Sequence, residues 1–321
     1  FAELRVGRMT TPRLVVDVKR LQNNANRMIE KAQARGVSLR PHIKTHKTIE
    51  GAFYQLYGDD KPEMREIRLA SSDCKITVST LGEASFYADA GFKDILYAVP
   101  MSVNKLAQAF ALSQRVENFH VMFDHPQHLE DAENFWKENG GADSWKWSVF
   151  LQIDSGGHRC GVDWEDEASV AFALELIASP SVELKGIYTH AGHSYKQSNH
   201  EMLQNVVKTE EQCVEQFAAK LVQRMKLSSE ETAKFVSGLV LSIGSTPSLS
   251  HSSQESTTST EHPKVNEWHP GNYIFYDQMQ AELGSCSIDD CAAFVDASII
   301  SHYPQSIRKT VPNRLWRIRI I

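Results

Sequence analysis

Residues 40–47, with the sequence RPHIKTHK, place two lysines, two histidines and an arginine within eight positions. If this segment is a strand, alternation puts Arg40, His42 and Lys44 on one face. A charged edge strand exposed to solvent would have the same pattern. If the polar face instead lines a site, burial beside Arg40 and other cations would lower the pKa of Lys44, and its amine could then attack an aldehyde. The later strands decide between these two interpretations.

Several predicted strands carry aliphatic residues on one parity and polar residues on the other, toward the carboxyl end of the strand. Gln152 and Asp154 end one strand in this way. Tyr188 and His190 end another, and Ser242 lies near the end of a third. Parallel strands buried on both faces are normally aliphatic throughout. A polar network inside the core is the structural alternative, but so many polar residues at strand ends favour a ligand site.

Two glycine-containing turns indicate the type of ligand. Gly244, Ser245 and Thr246 follow the seventh predicted strand, and Gly271 and Asn272 lie in the eighth. Glycines let backbone N–H groups converge on an anion, and the hydroxyls add donors. Each turn alone is typical of an ordinary chain reversal, but barrel enzymes frequently bind phosphate in the loops after strands seven and eight. A phosphate site together with a reactive amine predicts a phosphorylated aldehyde cofactor, and pyridoxal phosphate fits that description.

The elements that would position these residues alternate regularly between strand and helix patterns from residue 37 onward. The predicted strands are 37–44, 75–80, 94–99, 119–124, 147–154, 182–190, 239–244 and 267–276. This alternation predicts a parallel sheet in a protein of the α/β class. Eight units favour a closed (β/α)8 TIM barrel, which we assign to residues 10–277, over an open doubly wound sheet.

Three segments depart from this alternation. Residues 58–73 are charged and contain proline, and residues 248–263 are rich in serine and threonine, so we predict a surface loop for each. After residue 277 the pattern changes to short strands and turns. We assign residues 278–321 to a partial C-terminal β domain with an atypical basic tail, since residues 305–321 carry five basic side chains and no acidic one.

Composition limits the classes of function. The 321 residues are 41% hydrophobic and 23% charged, as in ordinary globular proteins. A formal net charge of −6 argues against a nucleic-acid or membrane-surface role, and no apolar run approaches the roughly 20 residues of a membrane span. The five cysteines are scattered, which is typical of free thiols in a reducing compartment. We therefore expect a cytoplasmic protein with a small-molecule substrate.

Seven blocks of the sequence, in the same order over about residues 10–304, resemble the fold-type III pyridoxal-phosphate enzymes. Within these enzymes, the chain is similar to the eukaryotic-type D-serine dehydratases and their D-threonine aldolase-like relatives, whose barrel resembles the N-terminal domain of alanine racemase. The blocks are TP at 11–12, RPHIKTHK at 40–47, VSTLGEA at 78–84, DSGGHRCG at 154–161, GIYTHAGHSY at 186–195, GSTP at 244–247 and PGNY at 270–273.

The resemblance implies roles for particular residues. Lys44 would be the Schiff-base lysine and the general base. The residues implied to bind the cofactor phosphate are Gly244, Ser245, Thr246, Gly271 and Asn272, and those implied to lie near the ring or substrate are Gln152, Tyr188 and Tyr195. The implied reaction is a lyase reaction that converts D-serine to pyruvate and ammonia. We also expect a homodimer.

The family also binds zinc, through a histidine and a cysteine two residues apart in a C-terminal β domain. The resemblance stops after residue 304, and no His-x-Cys pair follows it, so we find no metal ligands in the sequence and expect weak dehydration or none. We therefore expect this end of the chain to be truncated or altered relative to the family. Two alternatives stay open: a non-catalytic pyridoxal-phosphate-binding protein, and a D-threonine aldolase-like lyase that breaks the bond between Cα and Cβ.

Overall fold

The computed structural model describes residues 10–141, 145–197, 199–252 and 263–298, together with the backbone of residues 317–320. The strands are β1 (Arg13–Val16), β2 (Ser38–Leu39), β3 (Lys75–Val78), β4 (Asp94–Pro100), β5 (Asn118–Phe123), β6 (Trp147–Asp154), β7 (Val162–Asp163), β8 (Val182–Thr189), β9 (Val240–Ile243), β10 (Glu267–Trp268), β11 (Ala293–Ser298) and β12 (Arg317–Ile320). The helices are α1 (Val18–Arg35), α2 (Ile49–Tyr57), α3 (Arg65–Leu69), α4 (Leu81–Asp89), α5 (Leu106–Ser113), α6 (Pro126–Glu138), α7 (Glu167–Ala178), α8 (His200–Met225), α9 (Ser229–Gly238), α10 (Thr246–Ser250) and α11 (Gln278–Glu282).

Eight parallel strands form a barrel in the order β2-β10-β9-β8-β6-β5-β4-β3, with β7 added beside β6. The barrel closes where the segment after β2 meets β3. There His42 forms a parallel bridge with Thr77, and the Thr77 N–H donates to the carbonyl of Pro41 at 3.0 Å. The prediction of a (β/α)8 barrel is confirmed, and the alternative of an open doubly wound sheet is wrong.

The first and last barrel strands are shorter than predicted. The first keeps strand geometry only at Ser38–Leu39, and Ile43–Thr45 winds into a 3-10 helix. The last keeps it only at Glu267–Trp268, before a 3-10 helix at Asn272–Ile274. Each strand is followed closely by a proline, Pro41 or Pro270, which has no N–H to donate to a neighbouring strand.

Two predicted surface loops contain short helices. Residues 58–73, predicted as a surface loop, include a 3-10 helix at Pro62–Met64 and the helix α3. Residues 248–250 belong to α10, and residues 253–262 lie outside the described residues. The helix α9 was not predicted. The sequence feature that marks its start is a capping box, in which Ser228 and Glu231 bind each other's backbone N–H groups.

A small antiparallel sheet lies beside the barrel in the order β1-β11-β12. Arg13 pairs with Asp296 in the register, and their side chains form an ion pair at 2.7 Å. The N-terminal strand therefore joins the C-terminal sheet, although it falls within the range assigned to the barrel. The segment predicted as short strands and turns at 281–300 contains β11 and the end of α11. Of the basic tail, only the backbone of β12 is described.

The barrel has two apolar regions. The larger lies between the outer face of the sheet and the helices, and includes Ile76, Val149 and Phe217. The smaller fills the barrel interior with Leu96, Met122, Phe150 and Tyr188. Among the described residues, no helix is both long and apolar enough to cross a membrane.

A charged network lies at the amino ends of the strands, below this apolar interior. Arg40 is 2% exposed, and its Nε donates to Oε1 of Glu267 at 2.9 Å. Its Nη1 also pairs with Asp94, whose Oδ1 lies 3.2 Å from Nε2 of His120. Burial would raise the pKa of Asp94, but the charges and hydrogen bonds of Arg40 and His120 together outweigh it and hold this pKa below its ordinary value. The network joins β4, β5 and β10 to the residue that follows β2.

Replacing Glu267 tests the importance of this network for stability. Glu267→Gln should lower the free energy of unfolding by about 3–5 kcal/mol, because it leaves buried Arg40 without one of its two carboxylates. Glu167→Gln is the control: it breaks an exposed pair with Arg224, for which we expect about 0–1 kcal/mol. Urea unfolding of both variants measures the difference. Equal small losses would mean that the network contributes little to stability.

Candidate active site

Lys44 lies where the chain leaves the barrel after β2. Nδ1 of His42 accepts a hydrogen bond from the Lys44 N–H at 3.4 Å, and Nε2 of His42 lies 3.2 Å from Oγ of Ser79. Gly271 packs against the same segment so closely that a Cβ there would lie 2.7 Å from the carbonyl oxygen of His42. Glycine is therefore required at the turn after β10, and the contact fixes the backbone that carries Lys44.

The Lys44 side chain faces a cavity of about 220 Å³, which we call the lysine cavity. Its lining residues are His42, Lys44, Ser79, Ala98, Val99, Pro100, Arg159, Cys160, Tyr188 and His190. The amine is accessible through the open mouth, yet the surrounding protein removes much of its water. This loss of water lowers the pKa of Lys44, the positive charge of Arg159 lowers it further, and Glu83 opposes both. The expectation that Arg40 is the crowding cation is wrong, because Arg40 is neutralised by Asp94 and Glu267.

Arg159 and Cys160 are held in place by the turn after β6. Oδ1 of Asp154 accepts hydrogen bonds from the N–H groups of Gly156 and Gly157, at 2.9 and 2.8 Å. Gly161 ends the turn with a φ of 107°, and a Cβ there would lie 2.5 Å from the carbonyl carbon of Ile153. Both contacts keep the turn folded over the end of its own strand, so that the two side chains line the cavity.

Two stacked rings lie at the inner end of the site. Tyr188 and His269 stack with their centroids 3.9 Å apart and their planes 15° apart. Nδ1 of His269 lies 2.8 Å from Oγ of Ser242, and its Nε2 has no hydrogen-bond partner among the described residues. Gln152 donates to Sγ of Cys160 at 3.0 Å, and its buried Oε1 is also without a partner in the described part of the chain. These two unpartnered atoms are available to a bound molecule.

His269 was missed by the sequence reasoning. Its parity in the eighth strand is the same as that of Glu267, which points into the barrel toward Arg40. Extending the alternation rule to that strand would have placed both residues inside.

The predicted phosphate turn packs against the loop after β8. Nδ1 of His190 lies 2.8 Å from the carbonyl oxygen of Gly244, and Oγ of Ser194 lies 2.7 Å from Oγ of Ser245. Oγ1 of Thr246 accepts a hydrogen bond from the Tyr273 N–H at 3.2 Å. The turn is thus brought next to His190, which lines the lysine cavity, but its own residues do not line that cavity.

The remaining predicted residues lie around this turn. Asn272 donates from Nδ2 to Oδ2 of Asp277 at 2.6 Å, so its side chain is directed at a carboxylate. Tyr195 lies in the 3-10 helix Gly192–Lys196, which also contains Ser194, and burial raises the pKa of Tyr195 to about 12. The structure therefore groups the predicted residues near the carboxyl ends of β6 and β8 and on the segments after β2, β8, β9 and β10. Their roles toward a cofactor stay predictions.

Glu210 is a second residue that the sequence reasoning missed. It is fully buried on α8, and its Oε1 accepts a hydrogen bond from the Ala191 N–H at 3.0 Å. Burial raises its pKa to about 7. A detectable signal existed, because Glu210 occupies the apolar stripe of α8 between Val207 and Val214. A carboxylate inside such a stripe indicates that a buried polar group lies nearby as its partner. Here the partner is the Ala191 N–H, at the start of the loop after β8.

Comparison with known proteins shows the family to which the chain belongs. The family model of the alanine racemase N-terminal domain matches residues 16–242. A D-serine dehydratase from Dictyostelium discoideum is 37% identical over 94% of this chain and 71% of its own length. A D-serine dehydratase from Schizosaccharomyces pombe is 31% identical over 93% of this chain and 68% of its own length.

A solved structure gives the same result for the fold. The D-threo-3-hydroxyaspartate dehydratase from Delftia sp. is 31% identical, with a TM-score of 0.76 over 93% of this chain and 70% of that chain.

The pKa of Glu210 predicts a pH dependence of stability. An unfolded glutamate ionises near pH 4.5, whereas Glu210 in the folded chain keeps its proton until about pH 7. The unfolded state therefore binds fewer protons across this window, and the free energy of unfolding falls as the pH rises through it. Glutamine does not titrate. In urea unfolding, the native chain should therefore lose stability relative to Glu210→Gln as the pH rises from about 4.5 to about 7. A difference that is constant over this window would contradict the prediction.

Proposed function

Since the chain belongs to the alanine racemase N-terminal domain family, and within it to the D-serine dehydratases and their relatives, we propose that it is a pyridoxal-phosphate-dependent lyase. The proposed reaction converts D-serine to pyruvate and ammonia. The observation that carries this proposal is the Lys44 amine, which faces a cavity and has a lowered pKa. A homodimer in the cytoplasm stays part of the proposal.

The residues around the lysine cavity fit the cofactor. An amine with a lowered pKa is unprotonated more often and so reacts more readily with an aldehyde. The orphaned Oε1 of Gln152 and Nε2 of His269 offer polar contacts to a ring or its substituents. The hydroxyls of Ser194, Ser245 and Thr246 lie together next to His190, where a phosphate would find donors after a small rearrangement of their mutual hydrogen bonds.

Burial sets the protonation of the neighbouring histidines. Loss of water lowers the pKa of His42 well below its ordinary value and that of His190 to about 3, and in both cases the charge of Lys44 adds to the effect. Both imidazoles are therefore neutral near pH 7. They can form hydrogen bonds in the site without adding positive charge, which leaves Lys44 as the group that moves protons.

Pyridoxal phosphate, when bound, supplies an aldehyde that condenses with amines and a ring that takes up the electrons left when a proton leaves Cα. The protein supplies position and a base. Nζ of Lys44 would hold the cofactor and would accept the α-proton of a bound substrate. The stacked rings of Tyr188 and His269 are both buried and form the inner end of the site.

The resemblance to the family also raises the question of a zinc site. Within the described ranges, no three histidine, cysteine, aspartate or glutamate side chains converge so that they could hold a metal ion. The described residues thus do not fit a zinc site, and we assign no step to zinc.

Labelling and activity together test the proposed function. After addition of pyridoxal phosphate and borohydride reduction, peptide mass spectrometry should find the pyridoxyl group on Lys44 and not on Lys47. The loaded protein should exchange the α-proton of D-serine, with pyruvate measured in the same sample, because Nζ of Lys44 faces the cavity. Lys44→Ala should lose the label and the exchange. Attachment at Lys47, or an unchanged spectrum in Lys44→Ala, contradicts the assignment, and aldehyde release from D-threonine would indicate aldol cleavage instead.

The phosphate turn has a test of its own. Thr246→Val removes one hydroxyl donor to a charged group, worth about 1.5–3 kcal/mol. The affinity for pyridoxal phosphate should therefore fall roughly tenfold or more, since 1.4 kcal/mol is a factor of ten. Thr246→Ser, which keeps the hydroxyl, is the matched control. Pyridoxal without its phosphate should bind all three proteins alike, and an equal loss for pyridoxal would mean that Thr246 has only a structural role.

A further inference from the structure

Glu210 lies behind the two segments that form the predicted phosphate site. It is fully buried on α8, which packs against α10, β8 and β9. Its Oε1 accepts a hydrogen bond from the Ala191 N–H at 3.0 Å, at the start of the loop after β8. Its Oε2 is also buried and has no hydrogen-bond partner among the described residues. One oxygen of an enclosed carboxyl group is therefore left without a partner.

Polar groups connect this carboxyl group to the phosphate turn. Burial raises the pKa of Glu210 to about 7, and the Ser248 hydroxyl and the Gly244 N–H lie close enough to oppose this rise. Oγ of Ser248 lies 2.9 Å from Oγ of Ser245, which in turn lies 2.7 Å from Oγ of Ser194. A short path of polar groups thus leads from Glu210 to the hydroxyls that would bind a phosphate.

We propose that Glu210 is a positioning residue that couples anion binding at the phosphate turn to the uptake of one proton by its carboxyl group. This inference rests on the proposed function, because the anion is the phosphate group of the cofactor. When Glu210 is ionised, its charge repels the phosphate and it competes for the Gly244 N–H. A proton taken from solvent converts the carboxylate to a neutral acid, which removes the repulsion and gives Oε2 an O–H that can donate to Ser248.

The other titratable groups that face Glu210 are neutral near pH 7. Burial raises the pKa of Tyr188 on β8 and that of Tyr195 in the 3-10 helix that follows. On α8 itself, burial raises the pKa of Cys213 to about 12. The basic residues of the loop after β8 line the open site instead, and they are His190, His193 and Lys196.

The charged groups around α8 are paired, exposed or bound elsewhere. Burial raises the pKa of Glu211, whose carboxylate is paired with Arg35 at 2.7 Å. The acids of α7 are exposed, the charged residues of β8 lie in its amino-terminal half, and α10 and β9 carry no titratable side chain. Burial lowers the pKa of Lys31 to about 8, but its Nζ donates to the carbonyl of Ser250 at the other end of α10. Its titration is therefore common to the native chain and to a variant of Glu210.

The coupling has a definite sign. Below about pH 7 Glu210 already holds its proton, and the anion binds without taking up another. Above this pH the carboxylate must gain a proton on binding, so that the affinity for the anion should fall by up to about tenfold for each pH unit. A phosphate monoester has a second pKa of about 6, so its own titration is nearly complete at higher pH.

Calorimetry with pyridoxine phosphate tests the coupling. This probe carries the ring and the phosphate of the cofactor, but its hydroxymethyl group cannot condense with Lys44. Titrations about one pH unit above the pKa of Glu210, in two phosphate-free buffers of different ionisation enthalpy, measure the protons taken up on binding. The native chain should take up nearly one proton more than Glu210→Gln, and its affinity should fall more steeply with pH. Pyridoxine, which lacks the phosphate, should give no such difference.

Glu201→Gln is the matched control, because it removes an exposed carboxylate from the same helix. Its proton uptake should equal that of the native chain. If Glu210 has a structural role alone, its replacement weakens both ligands at every pH and leaves the proton uptake unchanged, which overturns the inference.

A second measurement needs no variant and decides the matter if Glu210→Gln does not fold. Infrared difference spectra of the native chain, recorded at the same pH on addition of pyridoxine phosphate, should gain the carbonyl band of a protonated carboxyl group. Protonation of Lys44 gives no such band. Its absence overturns the inference.

The outcome is separable from that of the lyase assignment. Equal proton uptake by the native chain and Glu210→Gln overturns the inference, even where borohydride reduction labels Lys44. Failure of the native chain to bind pyridoxine phosphate more tightly than pyridoxine below the pKa of Glu210 also overturns it, because no anion then binds at the turn. If Lys44 is not labelled but the proton uptake depends on Glu210, the lyase assignment fails and the coupling stands.

Discussion

The buried pairing of Arg40 with Glu267 and Asp94 is the contact on which the position of the site depends. Arg40 occupies the point where the first and last barrel strands meet, and its backbone N–H also donates to the carbonyl of Trp268 at 2.8 Å. The charges of this network hold the strand ends together at the floor of the barrel. Lys44 follows Arg40 by four residues and lies at the opposite end of the barrel. Fixing Arg40 therefore also fixes the direction from which the amine enters the cavity.

Loss of water determines the chemistry above that floor. Burial is the first cause of the lowered pKa of Lys44, and also of the lowered pKa values of His42, His190 and His269. These histidines thus become neutral hydrogen-bonding groups, and the positive charge of the site is concentrated on a few side chains at its mouth. A site of this kind attracts anions at its entrance and lowers the pKa of the amine inside it.

Much of this arrangement follows from patterns in the sequence, and the exceptions have identifiable causes. The eight strands and the polar strand ends were predictable because alternation along a strand reflects which face is buried. The short first and last strands were not, because a single proline after each strand changes the local geometry while the hydrophobic pattern continues. Arg40 was expected to lower the pKa of Lys44 because the two residues are close in sequence. The sequence alone does not reveal that two distant carboxylates, Asp94 and Glu267, neutralise Arg40. Glu210 was overlooked for a similar reason: its partner, the backbone of Ala191, becomes a neighbour only when the barrel forms.

The pairing of β1 with β11 has a consequence for how the molecule assembles. These two strands are separated by almost the whole barrel, and Arg13 lies opposite Asp296. Joining strands so far apart in sequence closes a very long loop, which is entropically costly until the intervening chain is compact. During synthesis from the amino end, β1 must wait for β11 to emerge. The small sheet is therefore expected to form last, and its ordering would report that the barrel beneath it is complete.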